Sequence, residues 1–294
     1  MASLKEVKTR IASVTNTRKI TSAMKMVASS KLHHAQVTIE NMRPYESRLE
    51  KIMSKFVSSI EGEIASPYAV QREVRRVALV VYTSNSSLCG GFNLNIIKAL
   101  RQKIEDLQKN GIEIVKIYPL GKKVLEAVRK LNFTNLQDYS SLLDHPAYEP
   151  AAKIAQELMD LYSKGEIDQV EMIYHHFKST ATQVLTEETF LPISFDQEGD
   201  QKDNNKEDGY ALDYIVEPSK EELIQKLIPK ALHLKLYTAL LDSLASEHAA
   251  RVIAMQVATD NADDLLRELT LTYNKTRQQA ITTELLDIVG GSMQ

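Results

Sequence analysis

The chain has 294 residues, of which 43% are hydrophobic, and its formal net charge is -3. That balance gives no bulk attraction to nucleic acid or anionic lipid, and no run approaches the ~18 apolar residues that span a bilayer. Cys89 is the single cysteine, which excludes an internal disulfide and favours a reducing compartment.

The first predicted element is a long helix over residues 1–60. Ser3 and Glu6 match the S-x-x-E capping box, in which each side chain satisfies a free backbone N–H at a helix start. Apolar residues then recur at three- and four-residue intervals, which is typical of a packed helical seam. No glycine occurs before Gly62, and Pro44 should bend this helix or end its first part.

Residues 75–216 have the alternating pattern of an α/β domain. Four runs have the length and apolar content of strands: Val77–Ser84, Ile112–Tyr118, Gln169–Phe177 and Thr182–Ser194. The last two are separated by a short polar turn and predict a hairpin. Helical patterns fill the intervals: a run ending at Gly111, residues 122–131, and a run from Pro150 to Ser163. This order predicts a mixed, largely parallel, Rossmann-like sheet with helices on its faces.

The domain ends in a polar segment and one more short strand. Residues 196–209 are acidic and lack an apolar anchor, so we expect a mobile loop or insertion there. Residues 213–218, DYIVEP, predict the short strand.

The last predicted element is a helix over residues 218–290. Ser219 and Glu222 form a second capping box, and Gly290–Gly291 should end the helix. After the capping box, the one proline before Val289 is Pro229, where we expect a kink.

Neither long helix can bury its apolar stripe alone, so the two should pair. Because both meet the α/β domain, the pair must be antiparallel, with the last turns of the longer C-terminal helix projecting beyond it or meeting another subunit. The predicted fold is therefore an α/β domain, Rossmann-like, flanked by an N- and C-terminal helix pair that forms a long coiled coil.

The loop LCGGFN, Leu88–Asn93, is the first candidate for chemistry. A glycine pair between a strand and a helix can cradle a phosphate or can form a tight turn that needs positive φ. The turn is favoured because the run is neither GxGxxG nor a P-loop. Cys89 could act as a nucleophile, but no histidine base is evident nearby, and a small buried residue is the better interpretation.

Histidines and acids do not form a metal-binding pattern. His33–His34 and His175–His176 are adjacent pairs, and adjacent side chains on a helix or strand do not point the same way. SEHAAR, residues 246–251, lacks the order and spacing of HExxH. The basic N-terminal run lacks the interleaved aromatics of nucleic-acid binders and fits a positively charged shaft that faces acidic partners. The sequence therefore predicts no catalytic residue, metal ion or cofactor, and no nucleic acid.

Two stretches, residues 13–30 and 271–293, carry small and polar residues where a free-standing helix would carry dense charge. A few apolar side chains are distributed around these helices rather than kept to one stripe. This is the surface expected of a helix that a partner covers without binding it permanently.

At these stretches the sequence resembles the gamma-subunit family of F-type ATP synthases. The similarity includes Leu4–Leu32 and Ser243–Gly291, with SLCGGFNLN and YIVEPSKEELI between them. The resemblance implies a central rotor stalk inside a hexamer of alternating alpha and beta subunits, with the α/β domain beside the epsilon subunit and on the membrane ring of c subunits. It also implies that catalysis belongs to the hexamer, and that this chain transmits torque during proton-coupled ATP synthesis or hydrolysis.

The resemblance also implies contact residues. Met24 matches a rotor methionine that faces the lever region of the beta subunit, and Lys19 and Lys25 are expected to face acidic beta-subunit residues. Polar positions that contact beta-subunit loops are matched by Arg277, Gln278, Thr282 and Glu284. Residues at the foot, near the c ring and the epsilon subunit, are matched by Tyr214, Glu217 and Lys220.

Two departures from the family pattern matter. Asn85-Ser86-Ser87 stands where the family commonly has a charged Asp-Lys/Arg-Gly, so the contacts of this loop are left open. Gly290–Gly291 replaces a Gly-Ala pair and should loosen the tip. Residues 196–209 contain no cysteine, which removes the basis for a chloroplast-type thiol switch.

Because no signal or transit segment is evident, we expect a bacterial protein on the cytoplasmic side of the inner membrane, peripheral and held only through its complex. Two other classes remain open. One is a nucleotide-using α/β enzyme with helical arms, and the other is a coiled-coil tether.

Overall fold

The computed structural model describes residues 3–58, 66–134, 136–193 and 220–292. The helices are α1 (Leu4–Ser58), α2 (Phe92–Lys109), α3 (Lys122–Lys130), α4 (Ser141–Asp144), α5 (Tyr148–Ser163) and α6 (Lys220–Ser292). The strands are β1 (Arg76–Tyr82), β2 (Glu113–Leu120), β3 (Gln169–Phe177) and β4 (Gln183–Leu191). The sequence predicts all of these except the short helix α4.

The strands form one sheet in the order β2-β1-β3-β4. β1 pairs in parallel with β2 and β3, and β4 pairs antiparallel with β3. The mixed, largely parallel sheet and the hairpin are therefore confirmed. β4 ends at Leu191 rather than reaching Ser194, since Pro192 has no N–H to donate to the ladder.

Two hydrophobic cores cover opposite faces of the sheet. Side chains alternate along β1, so that Val77, Leu79 and Val81 pack with α2 and α3. Ala78 and Val80 pack on the other face, in the core that includes α1, α5 and α6. The long C-terminal helix thus serves as one of the covering helices of the sheet, which ties the shaft to the domain.

The two long helices run antiparallel, as predicted. The Thr21 and Thr259 hydroxyls lie 2.8 Å apart, and Arg18 Nε lies 2.6 Å from Asp263 Oδ1. Lys25 Nζ donates to Gln256 Oε1. Residue numbers therefore fall along α6 as they rise along α1.

The helix ends agree only in part with the sequence signals. The Glu6 N–H donates to Ser3 Oγ at 3.3 Å, as the first capping box predicts. Both prolines lie inside helices, so Pro44 does not end α1. The predicted stop at Gly290–Gly291 is wrong, because α6 continues to Ser292. A glycine costs a helix about 1 kcal/mol but keeps its N–H, so a helix can pass through it.

Some predictions lie outside the described residues. These are the acidic segment 196–209, the strand at 213–218 and the second capping residue, Ser219.

Candidate functional site: the shaft and its junction with the sheet

Residues 228–251 of α6 form the segment called the root. Every residue from Leu236 to Glu247 is buried, between α1, α5 and the strands β3 and β4. A helix that is buried all round belongs to a core rather than to a surface. The root is therefore the part of the shaft that the domain holds.

The next part, residues 252–277, is named the paired segment and packs along α1. Its buried side chains Met255, Ala262 and Leu269 are seven residues apart. On α1, Thr21 and Ala28 are buried at the same interval. This seven-residue interval is the heptad repeat of a coiled-coil seam. Most other side chains of the segment are exposed or half-buried, so it presents an open surface.

The last part, residues 278–292, is named the tip and extends past α1. With Thr21 opposite Thr259, Leu4 at the start of α1 lies beside residue ~277, so the tip projects about 22 Å at 1.5 Å per residue. Large apolar side chains are exposed along it, among them Leu286 at 66% and Ile288 at 67%. Such an exposed apolar run marks a surface that a partner covers.

The predicted contact residues on α1 have different surroundings. Lys19 is exposed and Met24 is half-buried. Lys25 is half-buried, and its ammonium bonds to Gln256 within the shaft. The large apolar side chains that are exposed here are Ile20 at 60%, Met26 at 73% and Val27 at 59%. No sequence signal separates Lys25 from Lys19, because only the register between the helices gives Lys25 its partner.

The predicted polar contacts near the C-terminus lie at the start of the tip or along it. Arg277, Gln278, Thr282 and Glu284 are all exposed. Thr282 Oγ1 donates to the Gln278 carbonyl at 2.9 Å, so its hydroxyl already has a partner on its own helix. The α1 and tip residues do not form one site. Since residue 257 lies opposite Met24, Glu284 is about 40 Å further along the shaft.

The predicted foot cannot be assembled from the described residues. Tyr214 and Glu217 lie outside them. Lys220 is the first residue of α6, and its side chain is not described.

A polar junction joins the loop after β1 to the root. Arg251 Nη1 lies 2.6 Å from Glu247 Oε1, one helical turn away. Its Nη2 donates to Ser86 Oγ at 2.8 Å and approaches the carbonyl oxygens of Ser86 and Ser87 at 3.5 and 3.4 Å. Burial raises the pKa of Glu247, and the Arg251 charge opposes that shift.

Sequence reasoning missed this junction. Its signal is a Glu–Arg pair at i, i+4 in a run that is otherwise apolar or small.

The same loop forms a tight turn, in which Cys89 is buried and Leu88 and Gly90 are exposed. Gly90 has φ 59° and Leu88 has φ 69°, so the turn needs the left-handed conformation that the sequence predicts. Cys89 is buried, with Asn93 Nδ2 3.1 Å from its sulfur. The Phe92 N–H, at the first position of α2, already donates to the Cys89 carbonyl.

The paired histidines separate, as adjacent strand residues should. His175 is buried and stacks on Phe92, and burial lowers its pKa to about 4. His176 faces the other way, with Nδ1 2.6 Å from Asp242 Oδ2 of the root. Burial also lowers the pKa of His248 to about 4, assisted by the charges of Arg251 and Lys31.

Within the described ranges, no group of three or more His, Cys, Asp or Glu side chains is arranged to hold a metal ion. In that same part of the chain, no helix is both long and apolar enough to cross a bilayer.

Known proteins similar to this chain share one description. The sequence family described as ATP synthase matches residues 3–293. The ATP synthase gamma chain of Phocaeicola vulgatus is 58% identical over 293 residues, which is 100% of both chains. That of Bacteroides thetaiotaomicron is 57% identical over 299 residues, again with 100% of both chains covered.

Solved structures give the same fold. A chain from the Euglena gracilis mitochondrial ATP synthase, in a structure of its OSCP, F1 and c-ring parts, has a TM-score of 0.67. The match covers 99% of this chain and 93% of that one, at 20% sequence identity.

Proposed function

This chain belongs to the ATP synthase gamma-chain family, and on that premise we propose that it is the central rotor stalk of a bacterial F-type ATP synthase. The observation that carries the proposal is the division of α6. One end is buried in the domain, and the other is a bare tip with exposed apolar side chains. An element that must turn inside a partner needs a held end and a loosely contacted end.

The hexamer of alpha and beta subunits is the proposed partner of the tip and paired segment. Beta-subunit loops contact Arg277, Gln278, Thr282 and Glu284 in turn as the shaft rotates. A second belt of contact lies about 40 Å down the shaft, where Met24 and Lys19 face the beta-subunit levers. The Lys25 ammonium donates to Gln256, so Lys25 stabilises the shaft rather than pointing outward. Its positive charge still contributes to this belt.

The opposite end carries the connection to the membrane. Tyr214, Glu217 and Lys220 lie at the proposed foot, beside the epsilon subunit and the ring of c subunits. Torque from ion flow through that ring enters the α/β domain and leaves through the helix pair. This chain is then peripheral on the cytoplasmic face of the inner membrane, where its partners hold it.

The chain itself is proposed to catalyse nothing. The Phe92 N–H at the start of α2 already donates to the Cys89 carbonyl, and the LCGG run is neither GxGxxG nor a P-loop, which disfavours a nucleotide-using enzyme. Nucleotide binding and hydrolysis belong to the alpha and beta subunits. The asymmetric shaft sets which beta subunit is open, closed or half-closed at each angle, and it thereby drives their conformational cycling.

Disulfide cross-linking in the reconstituted hexamer tests this proposal. In a Cys89→Ala background, Glu284→Cys and Met24→Cys should each cross-link to cysteines placed in the beta subunit, and each cross-link should stop ATP turnover until it is reduced. Glu126→Cys, on the exposed face of α3, is the matched control and should not cross-link to the hexamer.

The two competing classes give other results. A nucleotide-using enzyme would hydrolyse ATP as the isolated chain, and a tether would self-associate through its arms without alpha and beta subunits. Sustained hydrolysis by the hexamer at an unchanged rate without this chain would refute the rotor.

A further inference from the structure

The Arg251 guanidinium is bonded to two different elements at once. One nitrogen holds Glu247 on α6, and another holds the hydroxyl and carbonyl oxygens of the loop after β1. The side chain is 11% exposed and that of Glu247 is 8% exposed. Several donors in a rigid planar fork are what such a double contact requires, and a lysine ammonium has no such fork.

This double contact lies where α6 leaves the domain. From Leu236 to Glu247 the helix is buried all round, and beyond Arg251 only its seam toward α1 is consistently buried. Past this point the loop is still close to α6 at Gly90, where an added Cβ would lie 3.9 Å from the Ala254 Cβ. This exit point is therefore the hinge about which the shaft would rock against the sheet.

The loop that Arg251 holds is itself tied into the domain. Asn85 Nδ2 donates to the Ser140 carbonyl at 2.8 Å and to Asp144 Oδ1 at 2.9 Å. The Lys122 N–H, at the start of α3, donates to Asn85 Oδ1 at 3.2 Å. A load on this loop is thus shared among β1, α3 and α4.

We propose that Arg251 is a positioning residue that braces the shaft against the sheet, so that the domain and the helix pair turn as one body. The proposal rests on the rotor function above. The apolar contacts of the root resist separation of α6 from the sheet, but they are non-directional and permit small rotations. The bonds from Arg251 to the loop are directional and partly buried, and they fix the angle at which α6 leaves.

In this chain, the loop acceptors of Arg251 come from the Asn85-Ser86-Ser87 sequence. The Ser86 hydroxyl is the nearest loop acceptor to Arg251, whereas Ser87 contributes its carbonyl. Ser86→Ala therefore removes one acceptor and keeps the loop carbonyls, and Ser87→Ala keeps every bond described. The two adjacent serines supply a matched test and control.

The test uses the complete complex of this chain with the alpha and beta subunits. Hydrogen exchange is measured in loop 84–91, and torsional stiffness is measured from the angular fluctuation of a bead on the α/β domain while a Glu284→Cys cross-link locks the tip. For Arg251→Lys we expect loop exchange about tenfold faster or more and a wider angular spread of the bead. Ser86→Ala should shift both readouts the same way by less, and Ser87→Ala should leave both unchanged.

Arg267→Lys is the control for an arginine-to-lysine change on the same helix. Arg267 forms an exposed ion pair with Asp264 and makes no bond to the loop among those described. Unchanged loop exchange and unchanged bead fluctuation in both Arg251→Lys and Ser86→Ala would overturn the brace. If Arg251→Lys does not assemble, Ser86→Ala decides the question alone. Failure of the wild-type cross-link would instead count against the rotor function, and the exchange measurement would still test the brace.

Discussion

The root and the tip of α6 belong to one continuous helix and yet have opposite surfaces. In the root, twelve consecutive residues from Leu236 to Glu247 are buried, polar ones included. In the tip, large apolar side chains such as Leu285 and Leu286 are 57% and 66% exposed. Both parts are helical, so the difference in exposure comes from packing. The domain stabilises the root, whereas a partner must cover the tip.

The largest effect on stability is expected in the root. Leu240 is fully buried, so Leu240→Ala should lower the free energy of unfolding by about 3 kcal/mol through lost burial and the cavity left behind. Urea unfolding followed by circular dichroism measures this loss. Leu271→Ala, at a side chain that is 72% exposed in the paired segment, is the control and should change little. Equal losses in the two variants would contradict the division of α6.

The next effect is acid sensitivity, which resides near the root. His175 and His248 have pKa values of about 4 in the fold, against about 6.5 in an unfolded chain. Between these values the unfolded chain binds more protons, so stability is lost as pH falls from about 6.5 toward 4. Each histidine should cost about 1–2 kcal/mol between pH 7 and pH 5.

Unfolding measured at several pH values tests this sign. His175→Phe keeps the ring stacked on Phe92 but cannot be protonated, so the fall in stability below pH 6.5 should become shallower. His33→Gln, at an exposed position on α1, should keep the wild-type slope. A wild-type chain whose stability rises on acidification through this window would contradict the prediction.

The sequence predicts far more of the framework than of the contacts. β1 is found from its unbroken apolar run, and β3 is predicted with its observed bounds, because both are set by local patterns of burial. Glu247 and Arg251 are visible as a charged pair, but their loop partner Ser86 is 165 positions from Arg251. Lys25 likewise looks like a free cation until Gln256 lies beside it. Such pairings depend on tertiary register, which one-dimensional periodicity does not contain.

The paired segment should show an intermediate effect. The hydroxyls of Thr21 and Thr259 form a hydrogen bond across the seam. Each hydroxyl also lies within hydrogen-bond distance of a backbone carbonyl on its own helix. Thr21→Val and Thr259→Val should therefore each cost about 1 kcal/mol or less. The double variant should cost less than the sum of the two, because the second substitution removes a hydroxyl already without its partner. Strict additivity in this double-mutant cycle would exclude a coupled contact.

The smallest effect on unfolding is expected at the tip, where the comparison is sharpest. Leu286→Asp changes a side chain that is 66% exposed, so the free energy of unfolding should move by less than ~0.5 kcal/mol. The same change places a charge on a surface that the hexamer must cover, so ATP turnover of the reconstituted complex should fall several-fold. Gln279→Asp, which adds a charge at an exposed position of the tip that was polar already, is the control and should retain more turnover. If Leu286→Asp instead destabilised the isolated chain while leaving turnover intact, the tip would be a structural element like the root. A loss of turnover at constant stability is what separates a surface built for a partner from a surface built for the fold.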